Sequence, residues 1–185
     1  MIGIVATRTL LTVEQFEQLP EREDVRYELD HGELIEVSGP SYQHNDIRDA
    51  ILTALRTFLR EHRLGKAVAE QEFRIAEETV FRPDVAYLRQ EVVARIDKSK
   101  SILSVVPDLA VEVISPSDTA ERLMRRIDLF LSAGCKHFWV VYPAERKVHV
   151  YGPSDDVRAF GEGKTLEAPE VLPGFSLPVS RIFEE

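Results

Sequence analysis

Val105-Val106-Pro107-Asp108-Leu109-Ala110-Val111-Glu112-Val113-Ile114-Ser115-Pro116 is the stretch that decides how this chain folds. It reads as a β-strand, with Leu109, Val111 and Val113 apolar on one face and Ala110 and Ile114 apolar on the other. A strand apolar on both faces lies inside a sheet that is covered on both sides. Glu112 stands within that run, with no basic residue near it in sequence. An ionised carboxylate so placed is costly unless something cationic meets it. Either the strand end opens into a polar cleft, or Glu112 holds a cation.

Working outward towards the N-terminus, the clearest helix carries Ile47, Ala50, Ile51, Ala54, Leu55, Phe58 and Leu59 at spacings of three and four. Gly65 is its expected C-terminal cap, and His44 and Asn45 stand at its start. Strands are expected at Val68 to Ile75 and at Val80 to Leu88, the second containing Arg82-Pro83-Asp84-Val85. Earlier still, Thr12 and Gln15 form a capping box for a short helix that Pro20 stops. Arg26 to Val37 reads as two strand segments around Asp30-His31-Gly32, with Glu28 on the first.

Towards the C-terminus, Ser117 or Asp118 is expected to cap a second helix, whose stripe is Ala120, Leu123, Met124, Ile127, Phe130 and Leu131 and whose end is Gly134. His137 to Val141 reads as a buried strand, and Val148 to Tyr151 as its neighbour. A Pro- and Gly-punctuated, strand-rich extension follows. The central order is helix, strand, strand, strand, helix, strand. This is an α/β (or α+β) class with a mixed sheet, expected as one domain over residues 1–185.

The formal charge of −9 argues against a protein that coats nucleic acid by bulk charge, but not against one that grips a phosphodiester locally through a metal. One cysteine, Cys135, excludes an internal disulfide framework and a cysteine-based zinc site. No apolar run approaches the roughly 20 residues that span a bilayer. Met1 to Leu11 lacks the basic start and small-residue cleavage site of a signal peptide, so the expected home is the cytoplasm.

Two carboxylates interrupt otherwise apolar strands: Asp84 and Glu112. A hard cation such as Mg²⁺ suits two or three carboxylates on adjacent strands and keeps several waters. Asp108 is a poor competitor for this role, because it lies four residues from Glu112 on the same strand, about 13 Å at ~3.3 Å per residue. It reads instead as a turn residue at the strand start.

The order of these pieces resembles the PD-(D/E)XK nuclease superfamily and, within it, the Uma-two family of restriction-endonuclease-like proteins. The resemblance is carried by Arg26-Tyr27-Glu28-Leu29 with Gly32-Glu33-Leu34, His44, Arg82-Pro83-Asp84-Val85-Ala86, Pro107-Asp108-Leu109, Val111 to Ser117, Gly134, Trp139-Val140-Val141 and Leu172-Pro173-Gly174. It implies a restriction-endonuclease-like αβββαβ core. It implies that Asp84 and Glu112 coordinate Mg²⁺ or Mn²⁺ with help from the Val113 carbonyl, and that Glu28 is a further acidic member. It also implies hydrolysis of DNA by metal-activated water.

Three departures stand against the family pattern. The superfamily lysine two residues after the acidic residue is replaced by Ile114. The Uma-two lysine on the following helix falls on Arg126, which flanks the apolar stripe and can offset charge on a phosphorane-like transition state but does not readily serve as a base. Tyr142 stands where an aspartate is expected before Pro143. These departures motivate a second reading, a catalytically weak or inactive member that keeps the fold as a binding module. A third is a phosphoesterase for a non-DNA substrate.

Plainer readings exist for each residue: Glu112 paired to a buried arginine, Asp84 as a strand-entry turn, Glu28 on a strand surface, His44 as a solvated or capping neighbour. A homodimer is expected, with the C-terminal strands pairing across copies.

Overall fold

The computed structural model describes residues 10–20, 25–116, 118–154 and 156–184. The signal-peptide reading of the first residues falls mostly outside these. The Thr12 hydroxyl accepts from the Gln15 N–H, and the Gln15 side chain accepts from the Thr12 N–H, so the expected capping box opens α1 (Val13–Glu17). β1 (Arg26–Asp30) and β2 (Glu33–Val37) form a hairpin whose turn residues His31 and Gly32 have φ of +50° and +82°. α2 (Tyr42–His62) starts at Ser41, whose hydroxyl accepts from the His44 N–H.

Gly65 is not the cap of that helix. Arg63 takes the left-handed conformation there, with φ of 52°, and Gly65 opens β3 (Gly65–Ala69). A Cβ at Gly65 would come within 2.0 Å of the Leu88 carbonyl oxygen, so glycine is required for the close approach of β3 to its partner.

The two strands expected between Val68 and Leu88 are four. Glu70, with φ of +51°, separates β3 from β4 (Glu72–Ala76). Pro83, which has no N–H for a ladder, separates β5 (Thr79–Phe81) from β6 (Val85–Arg89). Each break moves the chain from one sheet to another. α3 (Gln90–Val93), β7 (Ile102–Leu103) and β8 (Leu109–Val113) follow.

α4 (Ala120–Ala133) is capped by Thr119, whose hydroxyl accepts from the Arg122 N–H. Asp118, the expected cap, instead accepts from the Ser115 N–H, and Ser117 lies outside the described residues. Gly134, with φ of 112°, ends α4 as expected. β9 (His137–Tyr142), β10 (Lys147–Tyr151), β11 (Val157–Gly161), β12 (Thr165–Ala168) and β13 (Leu172–Pro178) complete the strands, and a 3₁₀ turn spans Val179–Ile182.

The larger sheet runs β11-β10-β9-β8-β6-β3, and a second runs β2-β1-β5-β4-β7. β8 lies inside the first, antiparallel to β6 and parallel to β9. Its two faces feed different cores. Leu109, Val111 and Val113 pack with Trp139, Ile51 and Leu55 beneath α2, and Ala110 packs with Phe138, Ile127 and Phe130 beneath α4. The path α2, β3, β6, β8, α4, β9 is the αβββαβ core expected from the sequence, and β4, β5 and β7 are drawn into the side sheet with the N-terminal hairpin.

Met124, placed on the apolar stripe of α4 by its spacing, is exposed. β12 and β13 pair with each other rather than extending a sheet edge. Their Leu166, Leu172, Phe175 and Leu177 pack into the α2 core of the same chain. Among the described residues no helix is long and apolar enough to cross a membrane.

Candidate active site

The antiparallel register of β6 and β8 pairs Val85 with Val111 and Ala86 with Ala110. One step further, Asp84 falls opposite Glu112. Residues facing each other across an antiparallel pair point to the same side of the sheet, here the side that α4 covers. The Val113 N–H donates to Asp84 Oδ2 at 2.7 Å, which ties the end of β8 to the residue just after Pro83.

α4 brings Arg126 to this place. Ile127 and Phe130 bury the helix, and Arg126 lays its guanidinium over the Phe81 ring, 4.7 Å from the centroid. Its Nη1 donates to Glu112 Oε1 at 2.5 Å. Its Nη2 donates to Glu28 Oε2. Glu28, on β1 of the other sheet, also accepts from the Arg82 N–H at 2.9 Å and is buried. One guanidinium therefore ties the two sheets together through two carboxylates.

Glu28, Asp84 and Glu112 crowd this end of the cleft, where Arg126 pairs with Glu28 and Glu112 and His44 meets Asp84. Burial pushes the Glu112 carboxyl well above its ordinary value; Arg126 pulls it down, while Asp84 and Glu28 add to the rise. Burial likewise raises Glu28, against the pull of Arg126 and the Arg82 N–H. Arg126 is held firmly in its charged form by Glu112 and Glu28, which outweigh its burial.

His44 was missed by sequence reasoning as a member of the site. Its Nε2 lies 3.2 Å from Asp84 Oδ2. Burial, the largest influence, depresses the imidazole pKa, but the hydrogen bond and charge of Asp84, helped by the Val113 carbonyl, outweigh it and leave the value raised. A histidine at a helix start resembles a solvent-facing residue; the signal that could have found it was its position one turn before the buried Ile47.

These groups line a cleft of about 190 Å³, whose walls include Tyr27, Ile35, Ile114, Ser115, Asp118 and Arg122. Ile114 thus sits at the cleft without supplying a charge. Asp108 lies elsewhere. It is buried, accepts from the Arg89 N–H at 2.8 Å and pairs with Arg89 Nε at 2.7 Å, a structural carboxylate rather than the expected turn residue. Tyr142 packs on His149, with ring centroids 4.7 Å apart, and does not line the cleft.

Among the described residues no three His, Cys, Asp or Glu side chains form a ready metal cage. Two facing carboxylates and a nearby carbonyl at an open cleft nevertheless suit a hard divalent cation that keeps several waters.

Comparison with known proteins agrees in one direction. A family profile described as "Uma2: Putative restriction endonuclease" matches residues 13–180. A crystal structure titled as a putative nuclease belonging to DUF820 from Anabaena variabilis superposes with a TM-score of 0.83 at 21% identity, covering 94% of this chain and 97% of that one. That likeness shows a shared fold. A search of curated proteins returns no match.

Proposed function

This chain belongs to the Uma2 family, and from that premise we propose that it is a nuclease that hydrolyses DNA phosphodiester bonds with a bound Mg²⁺ or Mn²⁺. The observation that carries the reading is Asp84 facing Glu112 across β6 and β8, in a cleft where the Arg126 guanidinium joins Glu112 to Glu28. Asp84 and Glu112 would hold the ion, with the Val113 carbonyl beside them. Such an ion lowers the pKa of a water and offsets charge on the phosphate.

The side chains do the rest. Arg126 presents a fixed positive charge to the negative charge on the phosphoryl oxygens, and it cannot act as the base. Glu28 holds Arg126 in place from the neighbouring sheet. Arg122, at the first turn of α4, lines the cleft and is placed to meet a flanking phosphate.

Plasmid and single-stranded DNA incubated with Mg²⁺ or Mn²⁺ test this. Cleavage is expected from the wild type and lost, by about 10²-fold or more, in Asp84→Ala and Glu112→Ala. Equal cleavage by all three proteins would assign the activity to another source.

A second reading, a binding module with a weak or silent site, is favoured by one observation. Arg126 already occupies one oxygen of both Glu28 and Glu112. Calorimetric titration with Mn²⁺ separates the two readings, since a silent site shows no binding that Asp84→Ala abolishes.

A further inference from the structure

We propose that His44 is itself a ligand of the divalent ion, so that the site is of mixed nitrogen and oxygen character and favours a transition-series ion over Mg²⁺. This rests on the metal-dependent reading above and adds a residue to it.

Three observations carry the inference. The first is spacing: His44 Nε2 and Asp84 Oδ2 are 3.2 Å apart. Neighbouring donors in one octahedral shell with bonds of ~2.1 Å stand about 3 Å apart, so the two atoms already have the separation of adjacent ligands. The second is convergence. The same imidazole faces the Val113 carbonyl, and the Val113 N–H holds Asp84. Imidazole, carboxylate and carbonyl therefore meet at one end of β8, in the cleft that Glu112 also lines.

The third is the setting of the ring. The His44 Nδ1 is buried with no hydrogen-bond partner among the described residues. The side chain is 13% exposed, as is that of Asp84. The ring is also held firmly: the Ser41 hydroxyl caps the His44 N–H, and Ile47 and Ile51 anchor the helix one and two turns on.

Without an ion, Nε2 carries a proton that points at Asp84. As a ligand it must carry a lone pair instead, so binding releases that proton or moves it to Nδ1. A nitrogen donor disfavours Mg²⁺, which takes oxygen ligands and dehydrates reluctantly, and is tolerated by first-row transition ions.

Calorimetry with Mn²⁺ and with Mg²⁺, and electron spin-echo modulation of the Mn²⁺-loaded protein, test this on wild type, His44→Gln and Asp84→Asn. Wild type is expected to bind Mn²⁺ about tenfold or more tighter than Mg²⁺ and to show ¹⁴N modulation from a bound imidazole. In His44→Gln the modulation should vanish and the preference should shrink.

Mn²⁺ binding that Asp84→Asn abolishes, but with no ¹⁴N modulation in the wild type, would leave the metal site standing and overturn the role of His44, which would then only orient Asp84. No Mn²⁺ binding, or binding indifferent to Asp84→Asn, would overturn the metal-dependent reading and this inference with it. The wild-type modulation does not depend on any variant folding.

Discussion

Arg126 is the side chain whose loss should be felt most. Breaking a buried ion pair leaves its partners uncompensated, at a cost of about 3–5 kcal/mol. Arg126→Met should therefore destabilise the protein by about that much in urea titration, with Glu28 and Glu112 left facing Asp84. Arg126→Lys should recover only part of the loss, because an ammonium lacks the planar fork that reaches both carboxylates.

His137 provides a pH signature away from the cleft. It is buried, its ring nitrogens lack hydrogen bonds, and burial lowers its pKa despite Glu170 3.8 Å away. The unfolded chain then binds the proton more readily than the folded one. The neutral ring's contribution is complete above about pH 6.5, the unfolded value, and is lost as pH falls through the lower folded value. Denaturation between pH 7 and 5 should show this slope, and His137→Phe should flatten it.

At this scale the sequence disclosed Asp84 and Glu112, because charge inside an apolar strand is anomalous wherever it is found. Glu28 and His44 carry no such mark. Their burial comes from a second sheet and from a strand end remote in sequence.

The elements obey their local chemistry where that chemistry is strong. The periodicity of α2, the capping box at Thr12 and the stop at Gly134 all correspond to what is observed. The strands between Val68 and Leu88 do not, because β-patterning does not say which sheet a strand joins, and the breaks at Glu70 and Pro83 are single residues.

Two substitutions test element-level reasoning. Thr119→Ala removes the side-chain cap of α4 and should cost about 1 kcal/mol while loosening the turn that carries Arg122. Gly65→Ala drives a Cβ into the Leu88 carbonyl and should cost about 3 kcal/mol by overpacking. Thermal melts of both variants would check these, and a melt of Gly65→Ala that matches the wild type would contradict the close approach of β3 to β6.

Across the whole molecule, the C-terminal segment completes this chain's own core. Leu166, Leu172, Phe175, Leu177 and Ile182 sit against α2. Ending the chain after Gly163 should therefore give a protein that fails to fold cooperatively, read as lost near-ultraviolet dichroism and aggregation in light scattering. The edge strands are β2 and β7 in one sheet and β3 and β11 in the other.

The guanidinium that joins Glu28 to Glu112 also has a mechanical meaning. It rivets β1 of one sheet to β8 of the other at their shared seam. Whatever draws Glu112 off that rivet leaves Glu28 to hold the seam with Arg126 and the Arg82 N–H, so occupancy of the cleft should be felt at a distance, as a modest rise in amide exchange along β1.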